Sequence, residues 1–323
     1  MNTKALIFNF ILCSFCNIGY IFAQDYKTEI GFSVENDFYI AFKQDRYYTN
    51  GFFVHVKRAL NQQNLSPDVN KTTLELELGQ KIYTPYFGKA PDPSLHDRPF
   101  SAYLYGGITY NRFMQNEQLF KYTLQGGATG KTALGKEVQT EFHKLVGIYK
   151  IAGWDYQLKG EYALNANFEY DKLLWRTGSR NFDVTGTAIA TLGNAFTGLS
   201  GGGMLRFGKL NPIYSSASYN SRISNHPDEV DKNIKGEFFL YFKPLVNYVA
   251  YDSSIQGGLF LEDKGPISFD PKRIVFSEQL GLTFSSQRWT ATYAVTFKSR
   301  EVESRAKSYY YAGLNFRYRL HKN

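Results

Sequence analysis

Polar and apolar residues alternate with a period of two along much of the chain, the mark of strands whose two faces meet different surroundings. In residues 161–170, Tyr162, Leu164, Ala166, Phe168 and Tyr170 share one face, opposite Glu161, Ala163, Asn165, Asn167 and Glu169. Residues 289–297 set Trp289, Ala291, Tyr293, Val295 and Phe297 against Thr290, Thr292, Ala294 and Thr296. Leu74, Leu76 and Leu78 alternate with Glu75 and Glu77, and a last strand sets Tyr310, Ala312, Leu314, Phe316, Tyr318 and Leu320 against Asn315, Arg317 and Arg319. A soluble sandwich with one wet face would show a similar alternation. Aromatic-aliphatic faces that recur up to the final residues point instead to an all-β fold: a transmembrane antiparallel β-barrel. At roughly 25 residues per strand and connection, about twelve strands are expected.

Composition agrees. Mean hydropathy is −0.37, yet aromatics make up 17% of the chain, with 25 Tyr and 27 Phe. No run beyond the first residues approaches the roughly 20 apolar residues of a spanning helix. Residues 1–23 read as a secretory signal, with Lys4 before an apolar stretch and Phe22-Ala23 ahead of Gln24, leaving 24–323 as the barrel domain. Cys13 and Cys16 both fall inside the signal, so a mature chain has neither disulfide nor thiolate metal site. The net charge of +8 would suit nucleic acid, but an exported chain rarely meets it, and a basic surface facing phosphorylated lipid is the simpler reading. The expected location is the outer membrane of a Gram-negative bacterium; no protein partner is inferred.

In such barrels both termini are periplasmic, the periplasmic turns are short and the outer loops long. Six strands are placed at about 26–35, 49–59, 72–82, 100–111, 118–125 and 159–170. The connections 36–48, 83–99 and 126–158 then share the outer rim, and they hold most of the unusual clusters. The longest carries a short α-helix at 134–146, with Leu134, Val138, Phe142 and Leu145 as its apolar stripe and Gln139 and His143 four apart on one side. That His is either a general base or an ordinary surface histidine. Asn36 and Asp37 end strand one, and Thr49-Asn50-Gly51 begins strand two; their oxygens suit calcium, or simply a turn. Asp97-Arg98-Pro99 is either a loop-closing ion pair or a positive group for a lipid phosphate.

Two motifs mislead. Residues 126–132 resemble a phosphate loop, but Gln125 stands where its first glycine belongs. Gly198-Leu199-Ser200-Gly201-Gly202 fits G-x-S-x-G, which needs a strand-to-helix elbow that its surroundings do not suggest. Histidines 55, 96, 143, 226 and 321 show no metal-ligand spacing.

The clusters, in order, are Glu35-Asn36-Asp37, Asp45-Arg46-Tyr47-Tyr48-Thr49-Asn50-Gly51, Gln80-Lys81-Ile82-Tyr83-Thr84-Pro85, Asp97-Arg98-Pro99-Phe100-Ser101-Ala102, Gly135-Lys136-Glu137-Val138-Gln139 with His143, and Gly153-Trp154-Asp155-Tyr156-Gln157-Leu158. Together they resemble the outer-membrane lipid A 3'-O-deacylase family of the LpxR type, over the first half of the mature chain. The resemblance implies a twelve-stranded barrel and calcium-dependent hydrolysis of the 3'-linked acyl ester of lipid A, the lipid of lipopolysaccharide. It implies that His143 activates water, that Gln139 lines the site, and that calcium is held near Asn36, Asp37 and Thr49. Lys81, Lys89 and Arg98 are its candidates for meeting a lipid phosphate. The family tends to place an acidic residue shortly after the helical His, where this chain reads Gly147-Ile148-Tyr149. The competing readings are a non-catalytic barrel, serving as pore or scaffold, and a Ser-His outer-membrane phospholipase acting through Ser200.

Overall fold

The computed structural model describes residues 26–40, 46–86, 90–147, 150–225 and 236–320; the signal read at 1–23 and Lys89 lie outside them. Twelve strands follow in chain order: β1 Thr28–Asn36, β2 Tyr47–Ala59, β3 Val69–Thr84, β4 Ser101–Met114, β5 Gln118–Thr129, β6 Glu161–Arg176, β7 Phe182–Gly193, β8 Phe196–Lys209, β9 Glu237–Asp252, β10 Ile274–Ser285, β11 Trp289–Lys298 and β12 Tyr309–Leu320. Each pairs antiparallel with its neighbours in sequence, and β1 pairs with β12, so the sheet closes on itself. Closure leaves no edge strand with unpaired backbone groups, which a bilayer would not tolerate. β3, β5 and β6 run longer than the sequence pattern suggested, continuing past the end of the apolar alternation.

The alternation sorts the side chains as expected. Ile30, Phe32, Val54, Val56, Leu76 and Leu78 stand on the outer face, exposed to the surrounding membrane. Their sequence neighbours line the lumen. There, cation and anion alternate across four adjacent strands: Arg319 is opposite Glu29, Glu29 opposite Lys57, and Lys57 opposite Glu75. Arg319 meets Glu29 at 2.7 Å and Lys57 meets Glu75 at 3.0 Å. The polar interior therefore compensates its own charges.

The connections depart from the expected short-turn rule. On the rim opposite the termini, β7 joins β8 through Asn194-Ala195 alone. On the termini side, residues 210–236 form a long connection instead of a tight turn. Its first half enters the barrel. Leu210, Ile213, Ala217 and Tyr219 pack against the lumen-facing Phe113, Met204, Phe239 and Tyr241. Arg206, fully buried, binds Asp183 at 2.6 Å and the Ser216 hydroxyl at 2.6 Å, while Lys71 donates to the carbonyls of Ser221 and Ile223. Glu237 accepts from the Ala217 amide and the Ser216 hydroxyl. The segment plugs the termini-side mouth because lumen charges answer its backbone groups, which would otherwise be buried unpaired.

Candidate active site

At the opposite rim, Asn36 shares the outward parity of Ile30, Phe32 and Val34. Its side-chain oxygen accepts the Phe38 N–H at 2.7 Å, an Asx turn that starts the single helical turn Asp37–Ile40. Asp37 is 3% exposed and accepts the Arg46 N–H at 2.6 Å, closing the two ends of the β1–β2 connection onto each other. Tyr47 then takes a left-handed backbone (φ 60°), held by its hydroxyl on Asp97 at 2.8 Å. Thr49 is the extra residue of a β-bulge: Tyr48 pairs with Tyr83 and Asn50 with Ile82, with no partner between. Bulges re-aim side chains beside active sites. Register thus makes backbone neighbours of Asn36, Asp37 and Thr49, all of which carry side-chain oxygens.

Asn36 is opposite Asn50, Asn50 opposite Ile82, and Ile82 opposite Ala102. At ~4.8 Å per strand this row crosses roughly 14 Å of the outer wall. The far end of the row is covered. Ile82, Phe100, Ala102, Ala133 and Trp154 form one apolar cluster, and Gln80 donates to the Ala133 carbonyl at 2.7 Å. Upon it lies α1, Gly135–Val146, matching the expected helix except that Leu134 is a left-handed residue before it. Gly135 is required by proximity: a Cβ there would fall 2.6 Å from that of Ala102 and 2.8 Å from the Trp154 ring. Gly147, also left-handed, ends the helix with its N–H directed at the His143 and Lys144 carbonyls.

The helix is oriented inside out relative to a soluble one. Gly135, Gln139 and His143, spaced at four residues, are buried, with His143 6% exposed. Leu134, Val138, Phe142 and Leu145 are exposed, Leu145 at 84%. An apolar stripe turned away from the protein, on the outer wall of a barrel, belongs in lipid. His143 is therefore not the surface histidine that spacing alone allowed. Gln139 accepts the indole N–H of Trp154 at 2.9 Å, and Trp154 in turn packs on Phe100 with ring centroids 4.9 Å apart.

The basic candidates separate. Lys81 lies between the outward Gln80 and Ile82, so it faces the lumen, on the other side of the wall from α1; it lines a cavity of about 340 Å³ with Glu35 and Lys298. Arg98 is 1% exposed and spans three connections: it donates to Glu301 at 2.9 Å and to the Ser254 hydroxyl at 2.8 Å, and stacks on Tyr83. This is the loop-closing alternative. Burial opposes the charged form of Glu301, but Lys298 and Arg98 outweigh it and lower its pKa to about 2. Ser200 sits within β8, paired on both sides and bonded to Asn247 at 2.7 Å, so it occupies no strand-to-helix elbow. The phosphate-loop look-alike is likewise mostly β5 strand.

A family model described as "Outer membrane protein LpxR" matches residues 7–320. The chain belongs to the LpxR family. Among solved structures, LpxR from Salmonella typhimurium superposes with a TM-score of 0.72 at 19% identity, covering 90% of this chain and 100% of that one. The β domain of the Bordetella autotransporter BrkA gives 0.45 at 10% identity, covering 92% and 99%. The translocator domain of NalP from Neisseria meningitidis gives 0.41 at 8%, covering 98% and 95%. No curated protein matches the sequence. Membership places this barrel in the outer membrane, in a family of lipid A deacylases.

Proposed function

We propose that this barrel is a calcium-dependent hydrolase that removes the 3'-linked acyl chain from lipid A, working at the extracellular rim. The observation that carries the reading is the orientation of α1. His143 and Gln139 are held against the outer wall while the apolar stripe of the same helix faces the membrane, so a lipid reaches the site sideways without entering the lumen.

In this reading the His143 imidazole takes a proton from water as that water attacks the ester carbonyl carbon. The bond from carbonyl carbon to sugar oxygen breaks, and the proton is passed to that oxygen, leaving a free hydroxyl and a fatty acid. Gln139, fixed by Trp154, holds the helix face in register with the wall. Asn36, Asp37 and Thr49 offer carbonyl, carboxylate and hydroxyl oxygens at a corner where Asp37 and Thr49 are buried, which suits a hard cation. Calcium held there would supply positive charge for the developing oxyanion. With Lys81 in the lumen and Arg98 enclosed by Glu301, Lys89 is the family-implied phosphate contact that the proposal retains.

The test is release of fatty acid from vesicles containing lipid A, by protein reconstituted after chelation. Activity should return with added calcium in the wild type and not in Asp37→Ala. Full activity under chelation would overturn the calcium assignment.

A further inference from the structure

Below the rim, on the lumen side of the same wall, three potential ligands meet. Gly31 of β1, His55 of β2 and Glu77 of β3 are opposite one another across adjacent strands, and Glu75 lies two residues from Glu77 on the same face. One nitrogen of His55 and one oxygen each of Glu75 and Glu77 lie within 4.8 Å of one another. His55 is 1% exposed, and among the described residues neither of its ring nitrogens has a hydrogen-bond partner. Burying an imidazole with both nitrogens unanswered is costly. Gly31, opposite it on β1, brings only a Cα, and a side chain there would collide with the His55 ring.

The neighbouring groups leave lone pairs available. Glu77 binds the Tyr105 hydroxyl through Oε1 at 2.6 Å, and its Oε2 accepts from none of the described residues. Glu75 binds Lys57 through Oε2 at 3.0 Å, while its Oε1 is 3.6 Å from Arg317, beyond a direct hydrogen bond. Arg317 is also engaged by Glu29 at 3.2 Å, and its ion pair with Glu75 is the longer of the two. The cavity of about 340 Å³ lined by His55, Glu77, Glu35 and Lys81 has room for water as a further ligand.

We propose that His55, Glu75 and Glu77 bind one divalent transition ion of the zinc class inside the barrel. One imidazole with two carboxylates is a borderline donor set, unlike the oxygen-only corner at Asp37. Tetrahedral bonds of about 2.0–2.2 Å would draw the three ligand atoms together by a small rotamer change. The ion would tie β2 to β3 behind the wall that carries α1. It is separate from the calcium of the proposed reaction and does not rest on that reading.

The experiment uses the folded barrel in detergent, stripped with chelator and titrated with Co²⁺ and then Zn²⁺. One equivalent of Co²⁺ should bind, with visible absorption of a four- or five-coordinate site, and Zn²⁺ should displace it. His55→Gln and Glu77→Gln should weaken binding by more than the ~10–100-fold that loss of a ligand's supporting partner costs. Asp37→Asn should bind as the wild type does. Heat-modifiable migration in gels establishes that each variant is a closed barrel. Zn²⁺ should also raise the melting temperature of the wild type and of Asp37→Asn, and not that of His55→Gln. Absence of a saturable equivalent, or equal binding in a folded His55→Gln, would overturn the proposal in favour of a hydrated neutral histidine.

Discussion

Trp154 donates its indole N–H to the side-chain oxygen of Gln139 at 2.9 Å, fixing from outside the barrel the helix face that also carries His143. Replacing Trp154 by Phe keeps most of the ring against Phe100 and removes only the donor. A net hydrogen bond is worth about 1 kcal/mol, so deacylation should slow by roughly 5–10-fold. Melting should change little. Initial rates on lipid A vesicles beside a thermal melt measure both, and an unchanged rate would show that Gln139 needs no anchor.

Gly135→Ala tests the close approach of helix and wall. Its Cβ would meet Ala102 and Trp154 at distances no packed atoms adopt. Relief must come from the helix moving outward, at ~1–3 kcal/mol. Activity should therefore fall further than stability does, because His143 rides two turns along the same helix. Rates and denaturant unfolding on one preparation would show the difference.

The exposed stripe gives a separable prediction. Leu145→Glu replaces an apolar side chain that touches almost nothing in the protein, so lost protein contacts should cost less than ~0.5 kcal/mol. A charge near the membrane interface costs up to ~1 kcal/mol. Turnover of vesicle-embedded lipid A should fall by about 5-fold or less, while turnover of a short-chain soluble ester should not. Equal losses on both substrates would place the stripe elsewhere than in lipid.

The rim has a pH dependence whose direction is fixed. The folded pKa of Glu301 is lowered from 4.5 to about 2. Its contribution is complete above the unfolded value and drains away as pH falls toward 2. Glu301→Gln leaves Arg98 buried without its counter-charge, costing ~3–5 kcal/mol at neutral pH. Unfolding measured from pH 7 to 2 should show the gap between wild type and variant closing in the acid limb. A gap independent of pH would remove the ion pair as its cause.

Much of this was legible in the sequence. Leu74, Leu76 and Leu78 against Glu75 and Glu77 announce two faces, and the rule that termini share one side puts the polar clusters on the other rim. The connection at 210–236 broke the short-turn rule because partners such as Lys71 and Phe113 are distant in sequence and meet it only in the closed barrel. Thr49 reads as a turn residue, since a bulge shows itself only against a partner strand. The direction of α1 was hidden for a different reason: an apolar stripe marks a boundary with something apolar, and the pattern does not say whether that is protein or lipid. His55 and Glu77 have no ligand spacing because strand register, not sequence distance, makes them neighbours.

The proposed reaction depends on His143, held against the outer wall, activating water for attack on a lipid A ester. It is tested most directly by mass spectrometry of lipid A from a host lacking its own deacylase, expressing either the wild type or His143→Ala. With both barrels inserted, the wild type should convert lipid A to the species lacking its 3' acyl chain, and His143→Ala should leave it intact. Unmodified lipid A from cells with correctly inserted wild-type protein, or equal conversion by the two, would contradict the account.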